Sequence, residues 1–278
     1  DGWRIALYNL SIPIPNDRFD AVRKIIAGDG ESEPQTAPLP GLAEACAAAS
    51  PGTVCGVVGF TGSPPVMKEP RQRPDADFCK LDHVVHDSVL VKQGRLKDVV
   101  IRVVSGLPAS TRPAKPTGSV DIHQRKCVFA PRVATAIVGQ TLRFLNEDGT
   151  LHNIHAYDKD GQSWFNMAQP RGAPAIEKDL EDEGIVRLSD DVHPWMTGFV
   201  VVSPHKHITV TPETGVFTLA GLPEGKYGIE AWHSIYGKKR ATVTVKSGEV
   251  STVSFAYTGK EAFAEENRRA AEDVQSYP

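Results

Sequence analysis

The chain of 278 residues lacks any apolar run approaching the ~20 residues needed to span a bilayer. Its longest apolar strings, such as Phe199-Val200-Val201-Val202, are strand-sized. It also lacks a charge imbalance. A net charge of −3 gives no electrostatic reason to expect nucleic acid or an anionic membrane surface as partner. No C-x-x-C or C-x-x-C-H arrangement occurs, which removes zinc ribbons, thioredoxin chemistry and c-type haem attachment. No Ser/His/Asp nucleophile motif, phosphate loop or paired-carboxylate arrangement is discernible, so a hydrolase or oxidase is the weakest of the functional readings. The sequence opens at Asp1 without Met or an apolar leader, which suits a mature exported protein and leads us to expect a periplasmic location.

What is present is ordinary for a globular protein, with 40% apolar and 23% charged residues, enough for one large domain or two small ones. The four cysteines are Cys46, Cys55, Cys79 and Cys127. An even number of well-separated cysteines in a Gly- and Pro-rich β protein reads as two disulfides. Of the three possible pairings, Cys46–Cys55 with Cys79–Cys127 is the expected one; four buried free thiols is the alternative.

Residues 1–50 differ from the rest. Asn16 is placed to cap a helix over residues 17–27 whose apolar face is Phe19, Val22, Ile25 and Ile26. Residues 28–40 read as a loop and 42–49 as a second short helix. From Thr53 onward, short strands of period-2 alternation are separated by Gly/Pro turns every ten residues or so, which predicts an all-β sandwich or barrel. Residues 259–278 read as a C-terminal tail with an exposed, charged helix over 260–274.

The stretch Ser189-Asp190-Asp191-Val192-His193-Pro194-Trp195-Met196 spaces His193 and Met196 like the last two ligands of a blue-copper site. The thiolate of such a site belongs three residues before the second histidine, where Asp190 stands. A carboxylate is a hard oxygen donor and cannot supply a copper–sulfur bond.

Other elements extend the likeness over residues 119–203: Phe129-Ala130-Pro131, Val138-Gly139-Gln140-Thr141-Leu142, Phe144-Leu145-Asn146-Glu147-Asp148 and Leu151-His152-Asn153. In this block the chain resembles the cupredoxins, the plastocyanin- and azurin-like copper proteins. Carried over position by position, the resemblance implies a metal site of His152, Asp190 in the cysteine position, His193 and axial Met196. His₂Asp is a donor set for a colourless copper or zinc, or a vestige holding no metal. Residues 210–257 resemble the carboxypeptidase-regulatory-like, transthyretin-like sandwich through Thr214-Gly215-Val216-Phe217-Thr218-Leu219 and Gly221-Leu222-Pro223-Glu224-Gly225-Lys226-Tyr227. The opening Gly-x-Val-x-Gly-x-Val strand of such a sandwich is missing there, but Gly52-Thr53-Val54-Cys55-Gly56-Val57-Val58 provides one. More narrowly, the chain resembles a bacterial exported family that joins the two modules and has counterparts of Cys79, His123, Cys127, Phe165-Asn166 and Ala231-Trp232-His233.

The expected architecture is therefore all-β: a cupredoxin Greek-key sandwich (117–203) inserted into a discontinuous second sandwich (53–107 plus 205–257), with short helical segments at both ends. His155 should face away from His152 and act as a surface or core histidine. His205 and His207 should lie on a wet strand edge, and Asp158-Lys159-Asp160-Gly161 should be a turn. Trp164, Trp195 and Trp232 read as core or rim aromatics. The functional expectation is a non-enzymatic accessory subunit of a periplasmic or membrane electron-transfer complex, or of its c-type cytochrome, with a degenerate copper site and no metal, or a single copper, bound. The alternative is a copper-binding electron-transfer or carrier protein using the His/Asp/His/Met set.

Overall fold

A computed structural model describes residues 39–65, 76–79, 88–108, 111 and 116–261. The expected helix over 17–27 and the C-terminal tail lie outside these residues. The described chain is all-β. Helix α1 (Leu42–Cys46) precedes β1 (Thr53–Phe60), and α2 (Ala76–Cys79) precedes β2 (Val91–Lys92), β3 (Arg95–Leu96) and β4 (Val99–Ser105). Then come β5 (Ser119–Arg125), β6 (Val128–Ala130), β7 (Val133–Ile137), β8 (Thr141–Asn146), β9 (His152–Tyr157), β10 (Ser163–Gln169), β11 (Ile176–Asp179), β12 (Gly184–Ser189) and β13 (Thr197–Ser203). The last strands are β14 (Ile208–Val210), β15 (Val216–Leu219), β16 (Gly225–His233), β17 (Gly237–Val245) and β18 (Val250–Tyr257). Among the described residues, no helix is long and apolar enough to cross a membrane.

Strand β1 pairs parallel with β18 along its whole length and antiparallel with β15 over residues 54–57. Its sheet thus joins residues that are far apart in sequence. Every residue of β1 is buried because both of its faces are covered. Val54, Val58 and Phe60 enter a core shared with Ile101, Val103, Phe217, Ile229 and Phe255. On the other face, Cys55 and Val57 pack under Leu42 and Cys46 of α1, and the Cys46–Cys55 disulfide bolts that helix to the strand. Gly56 is required here: a Cβ on it would stand 2.0 Å from the carbonyl oxygen of Val253 and 2.3 Å from the Phe217 ring. Facing this sheet, β14, β4, β16 and β17 form a second one.

The strands β5 to β13 build two further sheets, β10-β9-β12-β13-β7 and β11-β8-β5-β6. Between them lie Ile122, Phe129, Leu142, Phe144, Ile154, Leu188 and Val200. The alternation of β8, in which Leu142 and Phe144 are buried and Arg143 is not, follows from a strand with one face on a core. Val100 and Trp232 of β4 and β16 meet Val133, Phe199 and Val201 of β7 and β13 in a smaller apolar seam. Arg132 reaches over the Phe199 ring at this seam and donates to Ser234 Oγ at 3.1 Å. Trp232 is therefore a core residue that ties two sets of sheets together.

The second disulfide, Cys79–Cys127, links α2 to the turn between β5 and β6. The two bridges close loops of 9 and 48 residues. In the chain-entropy account these are worth about 2.6 and about 4 kcal/mol.

Candidate metal centre

Two loops at one end of the β5–β13 sandwich carry the candidate ligands. The first joins β8 to β9. Asn146 fixes it by donating Nδ2 to the carbonyls of Thr150 (2.9 Å) and Gln169 (2.8 Å) while its Oδ1 accepts the Asp148 N–H. The loop thereby presents Asp148 and then His152, the first residue of β9. The second, residues 190–196, joins β12 to β13. Here Asp190 Oδ1 accepts the N–H groups of Val192 (2.8 Å) and His193 (2.9 Å), a local side-chain cap that bends the chain back. Met196 continues the turn by donating its N–H to the His193 carbonyl at 2.8 Å. The loops are cross-tied, since Asp190 Oδ2 accepts the Asn153 N–H at 3.0 Å and Asn153 Oδ1 accepts the Asp191 N–H at 3.0 Å.

This bracing brings three donor atoms to one point. His152 Nδ1 lies 3.0 Å from Asp190 Oδ2 and 3.1 Å from His193 Nδ1, and the third edge, His193 Nδ1 to Asp190 Oδ2, is 3.4 Å. All three residues are buried. Met196, on the same loop, is buried among the core residues of the β5–β13 sheets. Three lone-pair-bearing atoms pointing at one another repel unless protons or a cation stand among them. Ligands held ~2.0–2.1 Å from a first-row ion stand roughly 3.3–3.6 Å apart, so the observed triangle is within a few tenths of an ångström of such a set. The donors fit a divalent copper or zinc ion. They do not fit a blue-copper ion, because no thiolate is available on this loop.

Charge and hydrogen bonding within the chain orient the donors. Burial alone would raise the Asp190 carboxyl, but hydrogen bonds from His152, His193 and the Asn153 and His193 N–H groups outweigh it and hold the carboxyl well below its usual range. Burial would lower His152, but Asp148 and Asp190 on its two ring nitrogens raise it instead. Asp148, the partner of His152 Nε2 at 2.9 Å, also accepts the N–H groups of Lys126 and Cys127. Against the pull of burial, these contacts lower its carboxyl. Its place in the site was not predicted from sequence, because a carboxylate four residues before a histidine in a loop carries no periodic signal.

The other histidines lie elsewhere. His155 is partly buried, away from the triangle. Its Nδ1 faces Asp191 Oδ2 at 3.0 Å and its Nε2 faces Ser163 Oγ at 3.0 Å. That Ser–His–Asp order was invisible in the sequence. The same Nδ1 is also shared with Tyr157 Oη (3.0 Å), whose ring stacks on the imidazole. His205 and His207 depart from the wet-edge expectation. They precede β14 instead of lying on it, and His207 is buried, because the segment is folded in against β4, where the Val103 N–H donates to the His207 carbonyl. Asp158 forms the expected turn, its Oδ1 accepting from the N–H groups of Asp160 and Gln162. Trp195 is buried with its Nε1 donating to the Cys127 carbonyl, and Trp164 is partly exposed.

No protein-family model and no curated protein matches the chain. Similar solved structures include a purple cupredoxin from Nitrosopumilus maritimus, 26% identical, aligned over all of that chain and 31% of this one at a TM-score of 0.28. They also include a reduced variant of amicyanin, 22% identical over 87% of its chain and 32% of this one, TM-score 0.28. A copper-containing nitrite reductase from Thermus scotoductus is 21% identical over 25% of its chain and 37% of this one, again at 0.28.

The histidines set a pH profile. His152 binds its proton more tightly folded than unfolded, so its contribution is full below the unfolded pKa of about 6.5 and is lost as pH rises through the folded value. Burial pushes His205 and His207 down, and it pushes His233, whose Nδ1 accepts the Ile235 N–H, down to about 3. The native state keeps His233 neutral, so stability is lost as pH falls below about 6.5, at about 1.4 kcal/mol per pH unit from this group alone. Urea unfolding of the metal-free protein should give a maximum near neutrality and a clear fall by pH 5. A flat profile between pH 6.5 and 5 would contradict the burial of a neutral His233.

Proposed function

We propose that the chain is an exported, non-enzymatic metal-binding protein that holds one copper or zinc ion in a colourless site of His152, Asp190 and His193, with Met196 beneath. The observation that carries this reading is the convergence of two imidazole nitrogens and one carboxylate oxygen on a single buried point. A bound copper would supply one-electron chemistry without the fast exchange that thiolate ligation gives. The protein's own part is to hold the donors. Asp148 orients His152 through Nε2, and the N–H groups of Asn153, Val192 and His193 fix the Asp190 carboxylate. Such second partners are worth about 10–100-fold in metal affinity. Two disulfides support export to an oxidising compartment such as the periplasm.

Copper titration of the oxidised protein, followed by absorption and paramagnetic resonance, tests the reading. It should give one equivalent of tightly bound copper with weak ligand-field bands and no intense blue band. Asp148→Asn should bind roughly 10–100-fold more weakly. Saturation only by loose, multiple-site binding would end the reading.

A second reading, an accessory subunit on an electron-transfer complex or its cytochrome, draws on the rim of the same end. Leu151 and Val192, each next to a histidine of the triangle, are about 40% exposed, and the exposed Phe78 ring stands against Gly149. Apolar side chains clustered in this way suit a protein contact. Native purification from membranes should then recover the protein with a redox complex, and Leu151→Lys/Val192→Lys should release it. Recovery only as a free monomer would count against this second reading.

A further inference from the structure

The Cys79–Cys127 disulfide borders the histidine triangle. The sulfurs of Cys79 and Cys127 and a ring nitrogen of His193 all lie within 4.8 Å of one another. The Cys127 sulfur, an Asp148 carboxylate oxygen and a ring nitrogen of His152 form a second group within the same limit. Cys127 thus comes within 4.8 Å of a ring nitrogen of each imidazole, with a different set of neighbours in each case. We infer that this disulfide is a redox gate on the metal site: its reduction frees a Cys127 thiolate within 4.8 Å of a ring nitrogen of each histidine and so adds a soft donor beside the hard N/O set. The inference rests on the metal-binding reading of His152, Asp190 and His193.

Cys127 is held in place by contacts other than the bridge. Its N–H donates to Asp148 Oδ2 at 2.8 Å, and its carbonyl accepts Trp195 Nε1 at 3.0 Å. Lys126 and Cys127 both have left-handed backbones (φ 56° and 54°), a conformation kept by the Asp148 carboxylate on their two N–H groups. Breaking the sulfur–sulfur bond therefore leaves Cys127 where it is. Asp148 joins the two halves of the device, since its Oδ2 also contacts His152 Nε2. Cys127 is fully buried and Cys79, at the end of α2, is 5% exposed, so the attack is assigned to the Cys79 side of the bridge.

The chemistry needs a dithiol reductant. One of its thiolates attacks the Cys79 sulfur, the sulfur–sulfur bond breaks, and Cys127 leaves as thiolate. The second thiol of the reductant then resolves the mixed disulfide, giving the Cys79 thiol and an oxidised, cyclic reductant. Two electrons and two protons pass to the protein. A divalent ion entering the site displaces the Cys127 proton to solvent. Thiolate donors select copper(I) and zinc, so reduction should raise affinity for these ions roughly tenfold or more.

The test uses the full chain. Cys79→Ala leaves Cys127 as a lone thiol with Cys46–Cys55 intact. Added cobalt(II) should give an intense thiolate-to-metal charge-transfer band in this variant, absent from the oxidised wild type and from Cys79→Ala/Cys127→Ala. Identical spectra for the single and double variants would overturn the gate. If Cys79→Ala fails to fold by circular dichroism, the dithiol-reduced wild type decides: zinc should slow alkylation of Cys127 roughly tenfold relative to Cys79. Equal rates, or unfolding of the reduced wild type, would also overturn it. The underlying reading fails separately. Should the oxidised protein bind no metal while Cys79→Ala shows the thiolate band, the gate stands and the oxidised-state site does not. Should the oxidised protein bind metal while Cys79→Ala shows no thiolate band, the reverse holds.

Discussion

A single buried carboxylate organises the functional end of this protein. Asp190 lies out of reach of water and cannot stay ionised there without several partners. It has them: three backbone N–H groups and two imidazoles. Each of these contacts also fixes something else. The Val192 and His193 N–H groups close the turn that aims His193 inward. The Asn153 N–H joins that turn to the start of β9, and the imidazole contact orients His152. In this fold the carboxylate braces both loops, so the chain's own hydrogen bonds orient the donors.

The rest of the structure supplies rigidity at a distance. The core between the β5–β13 sheets holds the strands from which both loops spring. The seam of Val100, Val133, Phe199, Val201 and Trp232 fixes those sheets against β4 and β16. Another buried carboxylate follows the same logic: Glu230 is paired across the sheet with Arg102 on β4 and Arg240 on β17. Removing one partner from either cluster would leave a buried carboxylate less fully compensated, which costs stability.

Much of the fold was legible because strands advertise themselves locally. The alternation in Thr141–Asn146 and the Gly-Val repeat in Thr53–Phe60 reflect burial that each strand experiences along its own length. The candidate site was legible where its residues are close in sequence, as with Asp190, His193 and Met196 on one loop. What escaped depends on long-range approach. Asp148 is an ordinary loop carboxylate until β8, β9 and the Cys127 turn are placed together. The contact of His155 with Ser163 and Asp191 needs three strands in register. His207 reads as an edge residue by its alternation with Lys206, and only packing against β4 buries it. Proximity of the Cys79–Cys127 bridge to the histidines is likewise a property of the fold, since Cys127 is 25 residues from His152 and 66 from His193 in sequence.

The central claim is that, in the oxidised protein, the donors around a bound ion are two imidazoles and the Asp190 carboxylate. X-ray absorption at the metal edge of the copper- or zinc-loaded protein tests this most directly. The account predicts a first shell of nitrogen and oxygen scatterers at about 2.0–2.1 Å, two of them imidazoles, with no short sulfur scatterer. A sulfur at about 2.3 Å in the oxidised protein, or a first shell unchanged in Asp190→Ala, would contradict it.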